Sequence, residues 1–261
     1  MTEIEFITTF LAENAGYARE KFAARGDLTV TSKTSPTDLL TEVDLTLQHR
    51  AIEKIREHFP DDQIVAEEGE FSTFPKDPHA RCWVMDPIDG TSNFVKGIFP
   101  VYAISLAFAE KGIPQVGGVC LPDMDMTFLA ERDKGATMNG KPCRVSQIQT
   151  LDASRIDVDF STLKDRQTIL SRASNIITSI GQIRCHGSAV CSIIQIATGD
   201  VEAYLHMSLN PWDYAAAQLI VEESGGVATR LDNSPLELFD GREGLLITNG
   251  AIHSDVLACI K

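Results

Sequence analysis

The sequence predicts a mixed α/β (α+β) protein whose two halves have different patterns. The first half opens with two segments of helical hydrophobic periodicity and continues with strand-like segments joined by short turns. In the second half strand-like and helical segments alternate, which favours an α/β layer. A chain of 261 residues can form one large domain or two small ones with ample core. No linker rich in Pro or Ser separates the halves, and we place them at 1–145 and 146–261.

The N-terminal half is predicted to begin with two helices. Hydrophobic residues recur at helical spacing from about Glu3 to Ala24. After a short strand-like run at Leu28–Ser32, Ser35 is a candidate N-cap with Pro36 in the first turn, so the second helix is predicted from Ser35 to Pro60. Five strand-like runs follow, and we expect an antiparallel sheet covered by the two helices; the runs are Gln63–Ala66, Arg81–Met85, Ala103–Ala109, Val116–Leu121 and Thr127–Glu131.

The C-terminal half is predicted to alternate between strands and helices. The predicted strands are Ile156–Phe160, Gln182–Cys185, Ala203–His206, Val227–Arg230 and Gly244–Thr248. The predicted helices are Leu163–Thr178, Ser188–Thr198, Asp213–Glu223 and Ile252–Ile260.

Composition excludes several classes of function. The formal net charge is −14 and no Lys/Arg face is evident, so we expect no sequence-independent binding of nucleic acid. No apolar run approaches the roughly 18 residues of a membrane span, and the N-terminus lacks the pattern of a secretory signal. The six cysteines form no C-x-x-C pair, which argues against zinc and redox sites. We therefore expect a cytoplasmic protein without a membrane partner.

The most informative segment contains two carboxylates at the end of a predicted strand. Asp86 and Asp89 are three residues apart, and Gly90 follows them at an apparent helix start. Two such carboxylates can share a pair of hard cations, and the backbone N–H groups after Gly90 can hold an anion beside them. This combination suits metal-assisted attack on a phosphate ester.

Other acidic residues at element ends strengthen this hypothesis. Glu67 and Glu68 follow a predicted strand, and Asp213 opens a predicted helix. Taken singly, each has a simpler explanation as a solvated loop charge, a turn residue or an N-cap. Together they offer oxygen ligands without His or Cys, which favours Mg²⁺ over zinc.

These segments make the chain similar to the inositol monophosphatase family of Mg²⁺-dependent, Li⁺-sensitive phosphatases. Its pattern D-P-[IL]-D-G-T-x-N-[FY], followed later by W-D-x-[AG]-[AG], matches Asp86-Pro87-Ile88-Asp89-Gly90-Thr91-Ser92-Asn93-Phe94 and Trp212-Asp213-Tyr214-Ala215-Ala216. The Glu67-Glu68 pair, the run from Lys33 to Asp44 and the late Glu222–Gly226 segment also match. The resemblance covers nearly the whole chain. It implies a layered αβαβα sandwich, inositol monophosphatase/fructose-bisphosphatase-like, in which the two halves meet at the metal site.

The resemblance also implies a set of metal ligands. Glu67, Asp86 and the backbone carbonyl of Ile88 would bind a first Mg²⁺. Asp86, Asp89 and Asp213 would bind a second, so Asp86 would bridge the two ions. Two or three Mg²⁺ ions per subunit are expected, and a homodimer is the expected assembly.

Further residues inherit catalytic and substrate-binding roles from the resemblance. The amides of Gly90 and Thr91 would receive the phosphate, and Thr91, hydrogen-bonded to Asp44, would help Glu67 to orient and deprotonate the attacking water. The alcohol side of the substrate would be lined by Gly187, Ser188 and Ala189. The expected partner is a small phosphorylated alcohol, with inositol 1-phosphate as the default substrate.

One position departs from the family pattern. The inositol-specific members carry a Glu where this chain has His206, and that Glu accepts hydrogen bonds from sugar hydroxyls. A neutral imidazole offers one acceptor and a protonated imidazole offers none. His206 either fills the rim or marks a different alcohol, so histidinol phosphate, sugar bisphosphates and nucleotide-type phosphates stay open as alternatives. Ser161 is a further candidate for the substrate side. A regulatory or interaction protein that retains the fold is the non-enzyme alternative.

Overall fold

The computed structural model describes residues 1–160, 163–241 and 244–260. Within these ranges the helices are α1 (Glu3–Ala23), α2 (Glu42–His58), α3 (Thr91–Lys96), α4 (Leu163–Arg172), α5 (Ser174–Ser179), α6 (Ala189–Ala197), α7 (Ala215–Glu223) and α8 (His253–Cys259). The strands are β1 (Val30–Ser32), β2 (Leu39–Thr41), β3 (Gln63–Ala66), β4 (Cys82–Asp89), β5 (Ala103–Glu110), β6 (Ile113–Leu121), β7 (Met126–Glu131), β8 (Gly135–Met138), β9 (Lys141–Pro142), β10 (Arg155–Val158), β11 (Gln182–Arg184), β12 (Ala203–His206), β13 (Val227–Thr229) and β14 (Leu245–Thr248).

Two large sheets organise the described residues. The N-terminal sheet has the order β3-β4-β5-β6-β7-β8-β9 and is antiparallel except for the parallel pair β3–β4. The C-terminal sheet has the order β11-β10-β12-β14-β13, in which β10 runs parallel to both neighbours and β14 runs antiparallel to both of its own. The expected antiparallel sheet is therefore present, with one parallel pair at its edge.

Alternation along the strands lets each sheet bury both faces. On β4, Trp83 and Met85 pack with α1 and α2, whereas Cys82 and Val84 face the opposite core. That second core lies between the sheets and contains α6 and α7, together with Tyr204 of β12. A third core packs α4, α5 and α8 against the outer face of the C-terminal sheet. The layers are helix, sheet, helix, sheet and helix, so the predicted αβαβα sandwich is confirmed.

The start of α2 differs from the prediction. The helix begins at Glu42 with Thr41 as its N-cap, not at Ser35. Thr41 and Asp44 form a capping box, in which the Thr41 hydroxyl accepts from backbone N–H groups and the Asp44 carboxylate accepts from the Thr41 N–H at 2.9 Å. Ser35 instead begins a turn, because the Asp38 N–H donates to its carbonyl at 3.1 Å.

Two other predicted helices have different bounds. The segment predicted as one helix over Leu163–Thr178 forms α4 and α5, which are separated at Ala173. Asp213 lies in a single 3₁₀ turn, Pro211–Asp213, and α7 begins two residues later. None of the helices in the described ranges is both long and apolar enough to cross a membrane.

Candidate metal centre

Three carboxylates that are distant in sequence converge at one point. Asp86 and Asp89 lie on β4, and Asp213 lies in the 3₁₀ turn before α7. One carboxylate oxygen from each lies within 4.8 Å of the others. Residues three apart on a regular strand point to opposite faces, but the pairing of β4 with β5 shifts register between Asp86 and Asp89. This irregularity lets both side chains face Asp213.

The surroundings of these carboxylates fit a divalent cation. Asp86 and Asp89 are buried, and Asp86 Oδ1 has no hydrogen-bond partner among the described residues. Burial raises the pKa values of Asp86 and Asp213 well above the usual range, and the neighbouring carboxylates, Glu67 first, raise them further. Burial also raises the pKa of Asp89 to about 7. Buried like charges require compensation, and hard oxygen ligands suit Mg²⁺ or Ca²⁺.

Glu67 lies beside this cluster and pairs with a lysine. It follows β3, and its N–H donates to the Met85 carbonyl at 3.2 Å, which places it next to Asp86. Its Oε1 accepts from Lys33 Nζ at 2.6 Å. Glu67 is outside the group of three within 4.8 Å but lines the same cavity. The carbonyl of Ile88, another expected metal ligand, accepts from the Thr91 hydroxyl at 2.9 Å.

The turn after β4 requires glycine. Gly90 has φ +87°, and a Cβ there would lie 2.9 Å from the Val101 carbonyl oxygen and 3.1 Å from Ser188 Cβ. The turn leads into α3, whose first residue, Thr91, places its hydroxyl 3.2 Å from Asp44 Oδ1. The expected Thr91–Asp44 contact is thus present. Burial raises the pKa of Asp44 to about 7, and the charges of acidic neighbours add to this while the hydrogen bonds from Thr41 oppose it.

Residues at the start of α6 hydrogen-bond the Asp89 carboxylate of β4. The Ser188 hydroxyl donates to Asp89 Oδ2, and the N–H groups of Ala189 and Val190 donate to the same carboxylate at 3.2 and 3.0 Å. Ser188 is also the N-cap of α6, since it accepts from the Cys191 N–H at 3.2 Å. Ser188 and Ala189, expected on the substrate side, line the cavity and also orient an expected metal ligand.

The cavity beside the carboxylates has a volume of about 600 Å³. Its wall includes Lys33, Asp159, Gly187 and His206. His206 is buried, and its Nδ1 accepts from the Ser208 N–H at 3.0 Å. This bond leaves the ring proton on Nε2 in the neutral imidazole, so that atom is a donor. Ser161, the further candidate for the substrate side, lies outside the described residues.

Three amide contacts that position the site were not predicted from the sequence. Gln48 donates to the Glu68 carbonyl at 2.8 Å and accepts from the Glu68 N–H at 3.0 Å. Asn93 Nδ2 lies within 3.3 Å of the carbonyls of His186, Gly187 and Val101. The Asn210 N–H donates to Asp213 Oδ2 at 2.8 Å. The spacing of Gln48 four residues after Asp44, on one face of a helix, could have identified the first contact.

A buried carboxylate cluster beside a turn of this kind is typical of enzymes that act on phosphate esters with divalent cations. The family model described as the inositol monophosphatase family matches residues 1–260, and the chain belongs to this family. A curated relative from Thermotoga maritima, fructose-1,6-bisphosphatase/inositol-1-monophosphatase, is 35% identical over 236 residues, which cover 89% of this chain and 86% of the relative.

Solved structures support the same assignment. A Thermotoga maritima IMPase has a TM-score of 0.86 and 32% identity, with 99% of this chain and 96% of that chain covered. An IMPase/NADP phosphatase complexed with Mg²⁺ and phosphate has a TM-score of 0.83 and 25% identity, with 98% and 93% covered. Phosphatase chemistry that depends on a metal is therefore the class of function to which the fold and the family assign this chain.

Proposed function

We propose that the protein hydrolyses a small phosphate monoester with the help of two Mg²⁺ ions. The observation that carries the proposal is the convergence of Asp86, Asp89 and Asp213, together with a buried Asp86 oxygen that has no hydrogen-bond partner among the described residues. Asp86, Asp89 and Asp213 would hold one ion, and Glu67, Asp86 and the Ile88 carbonyl would hold the other. A third ion per subunit stays a prediction of the family resemblance.

The bound ions would supply hydroxide near neutral pH and stabilise the charge of the transition state. The protein's own part is to orient the reacting groups. The amides of Gly90 and Thr91 are proposed to bind the phosphate. The single proton of the Thr91 hydroxyl has two acceptors in reach, the Ile88 carbonyl at 2.9 Å and Asp44 Oδ1 at 3.2 Å. With the Ile88 carbonyl bound to an ion, the hydroxyl would donate to Asp44 and accept a hydrogen bond from the attacking water. Glu67 would be a second base. Asp44 is buried 3.2 Å from the Thr91 hydroxyl, so a proton from the attacking water would reach this carboxylate through Thr91.

The alcohol group is proposed to lie against Gly187, Ser188, Ala189 and His206. Inositol 1-phosphate is our default substrate because of the family. His206 supports the alternatives, because its Nδ1 accepts from the Ser208 N–H and its ring proton is therefore on Nε2, whereas the inositol-specific members have an accepting Glu at this position. The Thermotoga relative's name includes fructose-1,6-bisphosphatase, and the Mg²⁺ complex is of an IMPase/NADP phosphatase. Sugar bisphosphates, nucleotide-type phosphates and histidinol phosphate therefore belong in the test.

The test is release of inorganic phosphate from a panel of these esters, with Mg²⁺ present and then removed by EDTA. We expect Mg²⁺-dependent turnover of at least one ester. Asp213→Asn should abolish turnover with little loss of folding, whereas Asp61→Asn, at an exposed residue outside the cavity wall, should leave turnover unchanged. Chelator-resistant hydrolysis, or near-normal kcat in Asp213→Asn, would contradict the proposal. Mg²⁺ binding without release from any ester would favour the non-enzyme alternative.

We also propose a homodimer in the cytoplasm. Ile98 and Phe99 support a partner surface, since these adjacent large apolar side chains are 55% and 80% exposed. The six cysteines are free, which suits a reducing compartment. Light scattering with size-exclusion chromatography should give twice the chain mass, and Phe99→Ser should shift the protein toward a monomer.

A further inference from the structure

One ammonium group lies inside the acidic cavity. Among the described residues that line it, Lys33 alone carries a Lys or Arg charge. Lys33 Nζ lies 2.6 Å from Glu67 Oε1, 2.9 Å from Glu68 Oε1 and 3.6 Å from Asp38 Oδ1. The Glu68 side chain is only 4% exposed, and those of Lys33 and Glu67 are 22% and 21% exposed. These pairs are therefore much better shielded from solvent than a surface ion pair.

Both sides of this contact are held in place by the backbone. The Lys33 N–H donates to the Asp38 carbonyl at 2.8 Å, and the Asp38 carboxylate accepts from the Thr34 N–H and hydroxyl, so the loop after β1 is closed on itself. On the other side, Gln48 fixes the backbone of Glu68 through both its N–H and its carbonyl. The ammonium therefore meets the Glu67–Glu68 pair in a defined geometry, not as a freely rotating surface side chain.

We propose that Lys33 is a built-in counter-cation that competes with a divalent cation for Glu67. This inference rests on the metal site of the proposed function. The Glu67 oxygen that bonds Lys33 belongs to a side chain assigned to the first ion. A cation bound at that side chain would lie close to the Lys33 ammonium, and the repulsion between the two positive charges lowers the affinity of the site for the cation. In return, Lys33 stabilises the Glu67–Glu68 pair when divalent cations are scarce.

The inference makes a directional prediction for Lys33→Met, which keeps the length of the side chain but removes its charge. Measured by isothermal titration calorimetry with Mg²⁺ alone, the tightest site of Lys33→Met should bind about 5-fold or more tightly than that of the unmodified protein. In EDTA the variant should melt at a lower temperature, and saturating Mg²⁺ should raise its melting temperature more. Lys33→Arg keeps the charge, so its Mg²⁺ affinity should stay within about 2-fold.

A second pair of variants tests whether Glu67 carries the effect. In a Glu67→Gln background, replacing Lys33 by Met should change the affinity of the remaining Mg²⁺ site by less than about 2-fold. Lys33→Gln gives a second uncharged side chain, should Lys33→Met not fold. Unchanged or weaker Mg²⁺ binding in the folded uncharged variants would overturn the inference, as would an equal effect in the Glu67→Gln background.

The binding readout separates this inference from the proposed function. If phosphate release depends on Mg²⁺ but Lys33→Met binds the ion no more tightly, only the competition is wrong. If Lys33→Met binds Mg²⁺ more tightly but no ester is hydrolysed, only the proposed reaction is wrong.

Discussion

Ser188→Ala removes a single oxygen that serves two structures. The hydroxyl donates to Asp89 Oδ2 and accepts from the Cys191 N–H at 3.2 Å at the start of α6. Ser188 is 2% exposed, so water does not readily replace it. Ala189 and Val190 still donate to Asp89 in the variant, so the carboxylate is loosened and not released.

The two losses have different expected sizes. Loss of the N-cap should lower the free energy of unfolding by about 1 kcal/mol, with or without metal. Loss of a hydrogen bond to a charged carboxylate is worth about 1.5–3 kcal/mol. Mutation of a residue that orients a metal ligand typically weakens metal affinity or activity by about 10–100-fold. We expect Ser188→Ala to lower the Mg²⁺ affinity and kcat/KM by a similar factor.

The assay combines Mg²⁺ titration calorimetry, thermal melting in EDTA and phosphate release. Ser188→Thr keeps the hydroxyl and should restore most of the affinity. Thr2→Ala is the matched cap control, because Thr2 caps α1 on the protein surface and should cost stability without changing Mg²⁺ binding. If Ser188→Ala melts earlier but binds Mg²⁺ within about 2-fold of the unmodified protein, the assigned role of Ser188 on Asp89 is refuted.

Three further predictions concern the same site. Asn93→Ala removes the amide that donates to the carbonyls of Val101, His186 and Gly187. Denaturation should show a free energy of unfolding lower by about 1–3 kcal/mol, and kinetics should show kcat/KM lower by about 10-fold. An unchanged kcat/KM would contradict a positioning role. Gly90→Ala forces a Cβ to 2.9 Å from the Val101 carbonyl oxygen at positive φ and should lower the free energy of unfolding by about 1–3 kcal/mol. Gly140→Ala is the control, because it is also at positive φ but has no atom within 4 Å of the added Cβ, and it should lower the free energy of unfolding less. In the metal-free protein the pKa values of Asp44 and Asp89 are raised to about 7, so the stability that these groups contribute is present below the unfolded pKa and is lost as pH rises through 7; the melting temperature in EDTA should therefore fall from pH 5 to pH 8. For the same reason Mg²⁺ binding should release more protons at pH 6 than at pH 8. Calorimetry in buffers of different ionisation enthalpy measures the release, and equal release at the two pH values would argue against the raised pKa values.

The fold was predictable where periodicity was strong. The first helix, the end of the second helix and most strands follow from hydrophobic spacing, and the structure has them within a few residues. The start of α2 was not predictable, because Ser35–Asp38 and Thr41–Asp44 are both hydroxyl-x-x-acid sequences. Pairing of β2 (Leu39–Thr41) with β1 keeps the chain extended up to Thr41, and only this tertiary contact decides between the two caps.

The candidate site was predictable as a set of residue types, but apart from the Thr91–Asp44 hydrogen bond its contacts were not. The spacing of Asp86 and Asp89 before Gly90 indicated a cation site, Asp213 joined it as an acidic residue at the end of an element, and the family resemblance assigned the ligand roles. The Lys33 ion pairs depend on how a loop closes over β3, and the bonds from Ser188 depend on where α6 begins relative to β4. These relations involve residues more than 30 positions apart, and hydrophobic periodicity carries no information about them.

The central claim is that these distant carboxylates bind divalent cations together. Anomalous diffraction from crystals grown with Mn²⁺, a substitute for Mg²⁺, tests it most directly. We predict two anomalous peaks in contact with Asp86. One should also contact Asp89 and Asp213, and the other should also contact Glu67. The crystals should be grown from protein that hydrolyses a phosphate ester in solution. Strong Mn²⁺ peaks elsewhere in such crystals, with no peak beside Asp86, would contradict the claim.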